Sequence, residues 1–175
     1  MRRFAIYALA LAAFGAAACD DDNGPNNPST QPIVFTAQLR ASNEVPAISN
    51  AESNAQGTAT ITFSVPRDSS GNITGAGTWN VQAVLSGFTN DSQLRLAHIH
   101  NGAAGVNAPV FVNTQLSAAN PIALPGGAAT VNVEGVEITQ AQAQAVVANP
   151  EGHYFNMHTA LNPGGAVRGQ LVRVQ

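Results

Sequence analysis

The sequence predicts an all-β domain, an antiparallel β-sandwich or Greek-key arrangement with one short helix. Three observations predict it. Apolar and polar side chains alternate with period two in runs that return roughly every dozen residues. Gly, Pro, Asn and Asp cluster between those runs, where turns require them. One segment alone carries a helix signature.

The elements can be justified in order. Phe35, Ala37 and Leu39 alternate with Thr36, Gln38 and Arg40. Ala59, Ile61, Phe63 and Val65 alternate with Thr58, Thr60, Thr62 and Ser64, and β-branched threonines suit the exposed side of a pleated sheet. Pro66 ends that run, and Asp68 to Asn72 is turn chemistry. Trp79, Val81, Ala83 and Leu85 form a third run; Leu94, Leu96, His98 and His100 form a fourth, expected on one face. Val110 to Val112 is a short fifth, and Ala129, Val131 and Val133 make a sixth. Tyr154 to Thr159 and Val167 to Val174 read as a closing pair, joined through Asn162-Pro163-Gly164-Gly165. Thr139 and Gln142 have capping-box spacing, Ala141, Ala143, Ala145 and Ala148 favour helix, and Asn149-Pro150 stops it. This spacing predicts a helix over 140–148.

The chain divides into three parts. Residues 1–18 read as a secretory leader: Arg2 and Arg3, then an apolar run from Phe4 to Phe14 too short to span a bilayer, then small residues. Cys19 follows, as in a bacterial lipobox, with Ala16 where Leu is frequent. It is the only cysteine in the chain, so it has no intrachain disulfide to make, and lipidation is the expected role. Residues 19–32 form an acidic, Asn/Pro-rich tether with too little apolar surface to offset ordering entropy. Residues 33–175 form one domain. Lys is absent, and removing Arg2 and Arg3 leaves five arginines against ten acids. Nothing basic is available for nucleic acid or an anionic bilayer, so membrane attachment is expected through lipid on Cys19 alone. The expected location is the extracytoplasmic side of a bacterial cell envelope.

Four separated stretches, "FTAQLRASNEVPAI", "GTATITF", "LAHIHNGAAGVNAPVFV" and "GHYFNMHTALNPGGAVRGQL", resemble the CHRD domain family over about residues 33–173. The specific pieces are Asn43-Glu44-Val45-Pro46, His98-Ile99-His100 and Arg168-Gly169-Gln170. Ala47 stands where a second proline is usual, and Ala166 where an acid often precedes the Arg-Gly-Gln. The resemblance implies an immunoglobulin-like or superoxide-dismutase-like sandwich and no established enzymatic activity.

On a strand, His98 and His100 share a face with Cα atoms roughly 6.5 Å apart. Two such imidazoles can reach one ion at about 2 Å, given a third ligand. His158 is the first candidate for that ligand and His153 the second. The competing reading is structural: buried imidazoles that pin the Gly102–Gly105 turn to the closing strand. Glu44 and Arg168 are a candidate ion pair between the first long loop and the last strand, or a small-anion site. Glu134 and Glu137 read as solvated surface. There is no nucleophile elbow, phosphate-cradling loop or thiol nucleophile.

The expectation is therefore a non-catalytic, lipid-anchored binding or envelope-structure domain with no cofactor. The alternative is a mononuclear zinc or copper protein using His98, His100 and His158. More remote is a superoxide-dismutase-like enzyme, since four histidines cannot furnish its dinuclear site. The anchor is directly testable. Cys19→Ser should move the protein from the membrane to the soluble extracytoplasmic fraction, whereas retention through a carbonate wash would rule lipidation out.

Overall fold

The computed structural model describes residues 31–175. The predicted leader, Cys19 and all but the last two residues of the tether lie outside the described residues. Nine strands and one helix follow in the order β1 (Ile33–Arg40), β2 (Gln56–Ser64), β3 (Gly77–Ser86), β4 (Gln93–Asn101), β5 (Val110–Asn113), β6 (Ile122–Ala123), β7 (Ala129–Ile138), α1 (Gln140–Ala148), β8 (His153–Thr159) and β9 (Val167–Arg173). The domain is all-β and antiparallel throughout, with a single short α-helix. No helix among the described residues is long and apolar enough to cross a membrane.

The strands hydrogen-bond in the order β5-β4-β8-β9-β1-β2-β3-β7, and β6 also pairs with β4. Only β1-β2-β3 is a simple meander. The chain crosses from β3 to β4, from the β5–β6 side to β7, and through α1 back to β8. The sheet curls around one apolar core into a nearly closed, barrel-like sandwich. Phe35, Phe63, Trp79 and Phe155 line its centre, edge to face, with ring centroids 5.1 to 6.5 Å apart. Ile61, Phe63 and Trp79 are fully buried and Val81 nearly so, while Thr60 on the other side of β2 is exposed.

The capping box closes α1 as its spacing predicts. Thr139 Oγ1 accepts from Gln142 N at 3.2 Å, and Gln142 Oε1 accepts from Thr139 N at 3.0 Å. Ala143 and Val146 plug into the core.

Three register shifts interrupt the ladders, one between β4 and β5 at Ile99/His100 and two that change which residues face the core. In β7 the buried positions run Val131, Val133, then Val136 and Ile138. Gly135, at φ +67°, absorbs the extra residue, and Asn80 Oδ1 accepts its N–H at 2.7 Å. The strand therefore continues past the point where its period-two signal stops. In β4 the register with β8 shifts between Leu94 and Leu96. Leu94, Ala97 and Ile99 join the apolar core, so Leu94 does not share a face with His98 and His100 as the alternation suggested. The bulge lets β4 put leucine inward at one end and histidines outward at the other.

Truncating Phe63 to Ala should cost about 3–5 kcal/mol. Thr60→Ala should cost less than about 1 kcal/mol. Equal losses in chemical denaturation would contradict the facing of β2.

Candidate metal centre

The outer face of β4, β8 and β9 is polar yet buried. Register places His98 beside Asn156 and Asn156 beside Arg168 in one cross-strand row. The next row is His100, Tyr154 and Gln170, and His158 stands opposite Leu96. All seven residues of β8 are buried, because Phe155 and Met157 point into the core while Tyr154, Asn156 and His158 are roofed by loops. His153 belongs to the opposite alternation. It lies against Phe111, with ring centroids 5.3 Å apart, and is not part of the histidine group.

Each loop of the roof is tied down by a side chain of this face or by a neighbouring loop. Arg168 Nε donates to Asn43 O at 2.6 Å and Asn43 Nδ2 returns a bond to Arg168 O at 3.0 Å. Arg168 Nη1 donates to Asn107 Oδ1 at 3.0 Å and Val106 O at 3.3 Å. Asn107 Nδ2 donates to Val45 O at 2.8 Å, joining the two loops to each other. Gln170 Nε2 donates to Gly102 O at 3.0 Å and Glu151 O at 2.7 Å. Between them, Gly169 lets β1 approach: a Cβ there would meet Gln38 O at 2.2 Å. Each residue of the Arg-Gly-Gln triplet thus has its own steric or hydrogen-bonding reason.

Glu44 and Arg168 are brought together, but loosely. Glu44 Oε2 is 4.0 Å from Arg168 Nε, and both residues are buried. Nε and Nη1 of the guanidinium are spent on loop acceptors instead, while Nη2 has no hydrogen-bond partner. Burial pushes the Glu44 carboxyl up to about 7, and the nearby Arg168 charge only partly opposes that rise.

His98, His100 and His158 converge. One nitrogen from each lies within 4.8 Å of the other two, and this is the one such cluster of three among the described residues. His100 Nδ1 lies 2.9 Å from Ala108 O, and His158 Nδ1 lies 3.0 Å from Pro163 O. A carbonyl only accepts, so both Nδ1 atoms carry the proton, and in the neutral rings both Nε2 atoms carry lone pairs. His158 Nε2 is 3.1 Å from His98 Nδ1. His100 Nε2 is buried with no hydrogen-bond partner. Tyr154 stacks on His100 at 4.7 Å, nearly parallel, and the Arg168 guanidinium lies over the tyrosine ring at 4.7 Å.

Burial lowers the basicity of all three rings. His98 is pushed down to about 4, by desolvation first and then by His158 and His100. His100 and His158 are also lowered, mainly by desolvation. All three are therefore neutral near pH 7, the form that ligates metals.

A profile of the CHRD domain matches residues 35–171. The chain belongs to the CHRD domain family. No curated protein matches it. Within this CHRD domain, Asn43-Glu44-Val45-Pro46 supplies one roof loop, His98-Ile99-His100 two of the three converging rings, and Arg168-Gly169-Gln170 the anchors of the roof.

Sequence reasoning missed Glu52. It lies in a polar run that reads as exposed loop, yet it is fully buried. It also missed the orphaned buried atoms Glu44 Oε1, Asn156 Oδ1 and Arg168 Nη2 around the centre. No local signal announces either. Glu134 and Glu137 are exposed on β7, as expected.

The pH dependence of metal-free protein follows from two opposed shifts. His98 falls from 6.5 to about 4, so between those values the unfolded chain binds a proton that the folded chain refuses. Its contribution to stability declines as pH falls through that window. Glu44 rises from 4.5 to about 7, so its contribution is present below 4.5 and is lost as pH rises through 7. Glu44→Gln should therefore steepen the loss of stability between pH 7 and 5, and His98→Gln should flatten it. Chemical denaturation in chelator checks both, and slopes identical to wild type would refute the assignment.

Proposed function

We propose that this CHRD-domain protein is a lipid-anchored, extracytoplasmic binding module of the bacterial cell envelope, and that His98, His100 and His158 take one zinc or copper ion. The observation that carries the metal reading is the convergence of three buried imidazole nitrogens within 4.8 Å of one another, in a cluster where His100 Nε2 has no hydrogen-bond partner. A buried polar atom without a partner is costly, and an ion at that point would satisfy it.

The donor set supports the same reading. Two nitrogens, each about 2 Å from a tetrahedral ion, are about 3.3 Å apart. The His98–His158 separation of 3.1 Å is already close to that value. The remaining gaps are at most 4.8 Å. Ala108 O and Pro163 O hold the far nitrogens of two ligands, an outer support typical of metal-bound imidazoles. His100 and His158 would ligate through Nε2. His98 would ligate through Nδ1 after its proton moves to Nε2. Nitrogen-only donors suit Zn(II) or Cu(II) over Cu(I). Three imidazoles fill three positions of a tetrahedral ion and leave the fourth for an incoming ligand, and the fourth histidine, His153, lies outside the cluster.

Native-state binding raises stability by RT ln(1 + [L]/Kd). Zinc or copper should therefore raise the melting temperature of the purified domain with a stoichiometry of one. His98→Gln should abolish that rise, and His100→Gln or His158→Gln should lose the ion. A melting temperature indifferent to both metals, with none retained on purification, would leave these histidines a structural role only.

A further inference from the structure

We infer that Glu52 is a positioning residue for the histidine centre, acting through the 159–165 turn on the ring of His158. The inference rests on the metal reading above.

The carboxylate of Glu52 lies on the long β1–β2 connection and is fully buried. Its Oε2 accepts from Thr159 Oγ1 at 2.6 Å and from Asn162 Nδ2 at 2.5 Å. Its Oε1 accepts from Ser92 Oγ at 2.5 Å, and Ser92 Oγ is 2.7 Å from Thr89 Oγ1. Asn50 extends the clamp: its Nδ2 donates to Asn162 Oδ1 at 2.7 Å, and its Oδ1 accepts from Glu52 N at 3.0 Å. Among the described residues no arginine or histidine hydrogen-bonds to Glu52, and the donors to this buried acid are hydroxyls and an amide.

Those donors belong to the turn that controls a ligand. Thr159 directly follows His158. Asn162 N donates to Thr159 Oγ1 at 3.1 Å, and Asn162 O accepts from Thr159 N at 3.3 Å and Gly165 N at 3.2 Å. The next residue is Pro163, whose carbonyl holds His158 Nδ1 at 3.0 Å. Glu52 therefore fixes the turn, the turn places Pro163 O, and Pro163 O sets the tautomer and tilt of His158. Groups bonded directly to a metal-bound imidazole typically carry about 10–100-fold in metal affinity, and Glu52 acts on one such group, Pro163 O.

The chemistry dictates an informative set of variants. Glu52→Leu removes every acceptor. Glu52→Gln can turn its amide nitrogen toward Ser92, which can accept, and keep its oxygen on Thr159 and Asn162. Thr159→Val cuts the turn side of the clamp, and Ser92→Ala cuts the far side. Zinc affinity measured by chelator competition should fall about 10–100-fold in Glu52→Leu and Thr159→Val. It should stay within a few-fold of wild type in Glu52→Gln and Ser92→Ala. The proton resonance of His158 Nδ1–H should shift or broaden in the first two alone. Should Glu52→Leu not fold, Thr159→Val carries the comparison. If both variants lower the melting temperature yet leave affinity and the His158 resonance unchanged, Glu52 is merely structural and the inference fails. If wild-type protein takes no metal, the metal reading fails, and the His158 resonance alone decides whether Glu52 positions that ring.

Discussion

The buried guanidinium of Arg168 is the constraint around which this site is organised. It is 2% exposed, and its nearest carboxylate stands 4.0 Å away instead of forming a bidentate pair. A charge in that position costs several kcal/mol unless its donors are met. Most are met by the loops: Asn43 O, Val106 O and Asn107 Oδ1 all accept from it. The two roof loops must therefore close over β9 for Arg168 to be tolerated inside. The same cation lies on Tyr154, and Tyr154 lies on His100, so a metal-site candidate is packed through one ring against the group that holds the roof.

This arrangement gives β4, β8 and β9 two buried faces of opposite character. The inner face is apolar and continuous with the core of Phe35, Phe63, Trp79 and Phe155. The outer face is a hydrogen-bonded layer in which side chains bond mainly to loop carbonyls. The structural and metal-binding readings of the histidines consequently share their bonds. The contact of His100 with Ala108 O pins the β4–β5 loop, and it also leaves a lone pair on the buried Nε2. The contact of His158 with Pro163 O does both things for the β8–β9 turn. The bonds that hold the loops therefore also hold the His100 and His158 rings by their Nδ1 atoms.

Much of the fold was legible in the sequence. Period-two alternation located eight of the nine strands, Thr139 and Gln142 marked the start of α1, and Asn162-Pro163-Gly164-Gly165 marked the closing turn. His98 and His100 had to share a face once they lay in one strand, and the closing pair made His158 their natural neighbour. These are short-range facts, set by backbone geometry and side-chain spacing within a few residues. The remainder depended on register and long-range pairing. Gly135 shifted the phase of β7, and the bulge after Leu94 decided which face of β4 the histidines occupy. Two-residue β6 was too short to show a period. Arg168 found its backbone partner 125 residues away and Glu52 its threonine 107 residues away. Composition, alternation and caps are written locally, so the sequence by itself determined strands, helix and the shared histidine face. Which ring nitrogen is free, which acid is buried and which loop covers the site were decided only by the tertiary structure, because hydrogen-bond partners exist only once distant strands have set their register.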